Sequence, residues 1–169
     1  KKGQLDLIEK LVPTLRLHLP TLRLHFFGDF QPEHDAYAAR CIAAVERLEL
    51  QSVVQFHGHQ HDMARTYQAL DCIVIGSRYE GLPRCMIEGM ASGLPVVSFD
   101  VSSVREMLEP EEVGVVINSG DYSSMAKALV QLAEDPDRRI SMGRRGRRVA
   151  TARFDAAIVG PQWRRVYGE

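Results

Sequence analysis

A parallel α/β sheet with helices on both faces is the fold class this chain predicts, on three observations. Short runs rich in Val, Ile and Phe alternate with segments whose apolar residues recur at three- and four-residue spacing, so strands and helices take turns. Gly, Pro, Asp and Asn punctuate the boundaries. The stretch around 72–98 spells out one complete unit: the apolar run Cys72-Ile73-Val74-Ile75, the turn Gly81-Leu82-Pro83-Arg84, a short helix, and a second apolar run, Pro95-Val96-Val97.

The elements follow in order. Leu5, Ile8, Leu11 and Val12 keep helical spacing, and Pro13, which has no N–H to donate, is expected to bend or end that helix. Leu22 to Phe27, between Pro20 and Gly28, reads as a strand. A helix from about Pro32 puts Tyr37, Cys41, Ala44, Val45 and Leu48 on its inner side. Val53 to Phe56 is the next strand, and Met63, Tyr67 and Leu70 mark another helix. Strands at 72–75 and 95–98 bracket the turn, a short helix covers about 103–108, and 114–117 is strand. Asp121 is placed to cap a helix whose buried stripe is Met125, Leu129 and Leu132. After Asp135-Pro136-Asp137 the chain reads as helical and arginine-rich to its end. Strands alternating with helices in this way imply a Rossmann-like sheet.

Bulk properties narrow the function. A length of 169 residues, 45% hydrophobic and 25% charged, suits a single globular domain spanning 1–169. A formal net charge of −1 argues against a general nucleic-acid binder. No apolar run is long enough to cross a bilayer. Cys41, Cys72 and Cys85 are odd in number and lack metal-type spacing, so they read as reduced thiols of a cytoplasmic protein. Cys85 stands near a helix start, a position that lowers a thiol pKa.

The turn at 80–88 carries the chemistry. It delivers a helix N-terminus to the carboxyl end of a strand, where unpaired N–H groups form an anion site, and Glu80 and Glu88 flank it. That combination suits a ligand with phosphates and many hydroxyls, such as a nucleotide sugar. Glu80-GLPRCMI-Glu88, followed by Gly89-Met90-Ala91-Ser92-Gly93-Leu94-Pro95-Val96-Val97, resembles the E-x7-E signature of the group 1 retaining glycosyltransferases of GT-B fold. Lys2-Gly3, Phe27-Gly28-Asp29, Phe56-His57-Gly58 and Gly114 match further landmarks of that family in order. The resemblance covers essentially the whole chain and implies the C-terminal, donor-binding half of such an enzyme. The acceptor would then belong to an N-terminal domain absent from these residues. In the family a strand precedes the Lys-Gly helix and is central in the sheet. Three outcomes are open: that strand lies outside the chain, the remaining strands close up, or another chain fills the gap.

The resemblance also assigns roles. Glu88 would accept hydrogen bonds from the donor ribose, an ionised oxygen pair matching a vicinal diol. Glu80 would face the sugar ring and the reaction centre, supporting positive charge at the anomeric carbon. Lys2 would contact the diphosphate and steady the leaving group. Gly81, Leu82, Pro83, Arg84 and Cys85 would form the anion cradle, with Gly81 allowing close approach and Pro83 in the first helical turn. His57 and Gly58 would form a strand-end turn near the nucleobase.

His57, His59 and His61 alternate as metal ligands on a strand would, but Gly58 interrupts the extended backbone. The resemblance implies metal-independent donor binding and no cofactor. The remaining histidines, His18, His25 and His34, form no cluster in sequence.

Arg138, Arg139, Arg144, Arg145, Arg147, Arg148 and Arg153 could dock on an anionic membrane, yet their spacing spreads them around a helix as solvated surface. The function read from the sequence is therefore hexosyl transfer from a nucleoside-diphosphate sugar to a hydroxyl, in polysaccharide biosynthesis. A nucleotide-sugar epimerase and a non-catalytic nucleotide-sugar module are the alternatives. A glycosidase is disfavoured, because its paired carboxylates must flank one sugar.

Overall fold

The computed structural model describes residues 2–168. It contains two parallel sheets. One pairs β1 (Leu24–Phe26) with β2 (Val54–Phe56); the other has the order β3 (Ile73–Ile75), β4 (Val96–Phe99), β5 (Gly114–Ile117). All ladders are parallel, with Leu24 opposite Val54, Ile73 opposite Val96 and Val96 opposite Gly114. Among the described residues no ladder joins β1 to β3, so the strands do not close up into one sheet.

A helix holds the two sheets together. α1 (Gln4–Asp6), a π-helical turn (Leu7–Leu11) and α2 (Val12–His18) run without a break, so Pro13 does not end the helix as expected. Proline removes a donor and crowds the carbonyl four residues back. The wider turn just before it relieves this, since the Val12 N–H reaches back five residues to Leu7 O. The helix then feeds two cores. Leu7, Leu11 and Leu15 pack with the β3–β4–β5 residues, whereas Ile8 and Val12 pack with Cys41, Val45, Val53 and Val54.

The other helices surround this frame: α3 (Ala36–Arg47), α4 (Met63–Gln68), α5 (Arg84–Ala91), α6 (Val104–Leu108), α7 (Tyr122–Glu134), α8 (Pro136–Phe154) and α9 (Ala156–Tyr167). α3 starts at Ala36 rather than Pro32 because the Asp35 side chain accepts from Tyr37 N and caps it there. Asp121 caps α7 as expected, accepting from Ser124 N. Every residue of β4 is buried, so both faces of that sheet are covered. α7 packs on β4 and β5, and α5 packs on β3 with α8 behind it. No helix among the described residues is long and apolar enough to cross a membrane.

Candidate active site

The site forms where the chain leaves the carboxyl end of β3. Gly3 adopts φ 84°, and a Cβ there would lie 2.0 Å from the carbonyl oxygen of Gly76. Only glycine permits both the backbone conformation and the approach. This contact lays the N-terminal segment on the end of β3 and brings Lys2 to Glu80. Lys2 Nζ donates to both carboxylate oxygens of Glu80, at 2.8 and 2.9 Å. Separate partners were expected for these residues on the donor; here they hold each other. The Lys2 side chain is 65% exposed and that of Glu80 only 12%.

Ser77, a buried polar residue, completes this group. Its hydroxyl donates to Glu80 Oε1 at 2.6 Å. Burial pushes the Glu80 carboxyl up, but the hydrogen bonds from Lys2 and Ser77 and the lysine charge outweigh it and hold the group below its ordinary value. The loop after β4 fixes the backbone of the same turn. Ser102 donates to the Glu80 carbonyl and Ser103 to that of Gly81, the latter at 3.2 Å. Ser102 does so from a left-handed conformation, φ 47°.

Beyond the turn, α5 begins at Arg84, with Pro83 as its cap residue rather than inside the first turn. The Pro83 ring carries no hydrogen-bond acceptor, and no side chain caps this helix. The helix N-terminus therefore presents backbone N–H groups of the kind that bind anions. A Cβ at Gly81 would meet nothing within 4 Å, so no packing within the chain demands glycine there. Leu82 and Arg84 are exposed beside it.

Cys85 differs from expectation. Crowding of the thiol pushes its pKa up rather than down, and the nearby Glu80 charge adds to the rise, so the helix-start effect does not prevail. The thiols of buried Cys41 and half-buried Cys72 are likewise raised by desolvation, to about 11 and about 12.

Glu88 lies one turn into α5, exposed, with its Oε2 accepting from the Tyr67 hydroxyl at 2.8 Å. His57 and Gly58 stand apart, at the end of β2 in the other sheet. The His57 ring stacks on Phe27 at 4.8 Å and shares a 2.8 Å hydrogen bond with His25. No side-chain hydrogen bond among the described residues links His57 to the glutamates. His25, which clustered with nothing in sequence, is thus paired across β1 and β2, which register His25 beside Gln55 and leave His57 two residues further along. Among the described residues no three His, Cys, Asp or Glu side chains are placed to hold a metal ion.

The arginines of α8 divide by role. Arg139 donates to the carbonyls of Leu132 and Ala133, and Arg145 to that of Glu112. Arg144, Arg147 and Arg148 share one open groove with Thr151 and Ala152.

Parallel strands wrapped by helices, with an uncapped helix and two carboxylates beyond one strand end, define a Rossmann-like α/β unit. Residues 1–135 match the family model described as glycosyl transferases group 1, and the chain belongs to that family. It is 32% identical over 158 residues to EpsD of Bacillus subtilis (strain 168), a protein named for glycosyltransferase activity without a stated donor; this covers 94% of the chain and 40% of EpsD. It resembles the structure of sucrose-phosphate synthase from Thermosynechococcus elongatus with TM-score 0.81 and 26% identity, over 94% of this chain and 42% of that one. The fold also matches Anabaena HepE, solved with UDP and glucose, at TM-score 0.86 and 22% identity, over 94% of this chain and 44% of that one. The chain thus spans less than half the length of each of these proteins.

Proposed function

We propose that these residues form the donor-binding half of a retaining glycosyltransferase that moves a hexosyl group from a nucleoside-diphosphate sugar to a hydroxyl. The observation that carries this reading is the uncapped N-terminus of α5 between two pinned carboxylates, Glu80 held by Lys2 and Ser77, Glu88 held by Tyr67. In this reading the diphosphate lies against Lys2 and the N–H groups of Arg84 and Cys85. Their positive potential stabilises the leaving group without a metal. Gly81, Leu82 and Pro83 leave room for the sugar, Glu80 faces its ring, and Glu88 accepts from the ribose. His57 and Gly58 border the base. The presence of UDP and glucose in HepE, a protein of the same fold, is consistent with this class of ligand.

The acceptor site and the remaining catalytic groups belong, in this proposal, to an N-terminal domain of a longer protein. The setting is polysaccharide assembly from cytoplasmic nucleotide sugars. Arg144, Arg147 and Arg148 are the residues that would meet an anionic membrane, and vesicle flotation tests this. Binding to anionic vesicles no better than to neutral ones removes it.

Calorimetric titration of UDP, GDP and ADP into the protein tests the donor site. Glu88→Ala is expected to weaken the preferred nucleotide ten- to a hundred-fold, about 1.5–3 kcal/mol for a charge-assisted bond. Unchanged affinity sinks the assignment. Product analysis on nucleotide sugars with and without an acceptor separates transfer from epimerisation.

A further inference from the structure

We infer that Tyr67 is a positioning residue for ribose recognition: its hydroxyl, donating to one oxygen of Glu88, sets the plane in which the carboxylate meets the two ribose hydroxyls. The inference rests on the donor-site reading above, in which Tyr67 only holds Glu88, and gives that hydroxyl a role in recognition.

Three observations carry it. Tyr67 is only 4% exposed, yet its hydroxyl reaches the exposed Glu88 at 2.8 Å. A rigid, two-torsion side chain anchored in the core thus holds the end of a flexible, three-torsion side chain standing in solvent. The bond also crosses between elements, from α4 to α5. It therefore fixes Glu88 against the body of the domain rather than within its own helix. Finally, an ionised carboxylate accepts about four hydrogen bonds, so one from Tyr67 leaves both oxygens with capacity for a vicinal diol.

Burial and the Glu88 charge both push the phenol pKa far up, so Tyr67 remains a donor throughout the physiological range. A free glutamate would freeze its rotamers when ribose binds, whereas a tethered one has lost that freedom already. A purely structural role predicts something different. A buried phenol needs an acceptor, and Glu88 would then serve Tyr67 rather than the reverse.

The test compares UDP, GDP and ADP with their 2′,3′-dideoxy counterparts, which lack both hydroxyls, by titration calorimetry. The wild-type protein is expected to prefer the ribonucleotide by ten-fold or more. Glu88→Ala should erase that preference. Tyr67→Phe, which keeps the ring in the core, should lower it about three- to ten-fold while leaving dideoxynucleotide affinity within two-fold of wild type. Added to Glu88→Ala, the same change should do nothing further to the preference. A Tyr67→Phe protein with the full preference overturns the inference while leaving Glu88 in its role. So does one that loses both nucleotides equally, or loses its fold, because each marks a structural hydroxyl. If Glu88→Ala keeps the preference, or the folded wild-type protein binds no nucleotide, the ribose reading itself fails and the inference with it.

Discussion

In the β3–β4–β5 sheet all four residues of the central strand are buried, whereas in β1–β2 only Val54 is buried and β1 is half-exposed throughout. The loops differ in the same sense. After β3, the backbone and carboxylate of Glu80 are held by Lys2, Ser77 and Ser102, and Ser103 holds the neighbouring Gly81. After β2, His57 rests on other aromatic rings and on His25. The lesson is that fixed charge sits on the strand end with two covered faces, where surrounding layers leave its loop little freedom. The thinly covered sheet offers flat rings, which tolerate adjustment. In the proposed function, chemistry and base recognition would be divided accordingly.

The strongest way to break this contrast is through the helix that serves both sheets. Leu11→Ala empties space in the larger core and Ile8→Ala in the smaller, and each is expected to cost about 2–5 kcal/mol in urea denaturation. Coincident unfolding by near- and far-UV signals should persist in both variants. A separate early transition in Ile8→Ala would show that the β1–β2 half melts by itself. Gly3→Ala comes next, at about 1–3 kcal/mol, because the methyl group meets the Gly76 carbonyl in a left-handed conformation. It should also free Lys2 from Glu80, detectable as a raised Glu80 titration in carboxyl NMR.

Acid sharpens the contrast further. The Glu80 carboxyl lies below its ordinary value of 4.5, so its stabilisation is complete above that value. It is lost as pH falls through the depressed value. Ser77→Ala removes one of the two side-chain donors, so this loss should be smaller and complete at higher pH, with about 1 kcal/mol lost at neutrality. The smallest effect belongs to the β1–β2 half. Asp35→Ala removes the α3 cap and should cost about 0.5–1 kcal/mol, without altering nucleotide affinity.

Much of this was legible in the sequence, because local chemistry decides it. The 114–117 strand, the Asp121 cap and the turn into α5 rest on patterning and on residues a few positions apart. Strands came out shorter by a residue or two at some ends, since ladders need partners that no single segment reveals. Pro13 does not end the helix because its cost is absorbed by a π turn whose Leu and Ile residues look like any helix. The Lys2–Glu80 pair spans 78 positions and could not be read from spacing. Tyr67 was visible only as a core aromatic; its hydroxyl, not its ring, reaches the site. Ser77 carried one clue, a hydroxyl directly after an apolar strand. Cys85 was misjudged because crowding and neighbouring carboxylates outweigh the helix terminus.

The lysine at the site is already matched by a carboxylate, so it is an exchanger rather than a vacant socket. In the proposed donor site an arriving anion would compete with Glu80 for that lysine, which would trade one counter-charge for another. The displaced carboxylate, largely shielded from solvent and still held by Ser77, would then be left unneutralised beside whatever the anion carries. In that reading loading and activation would be a single event, with the glutamate released when a competing negative charge is in place.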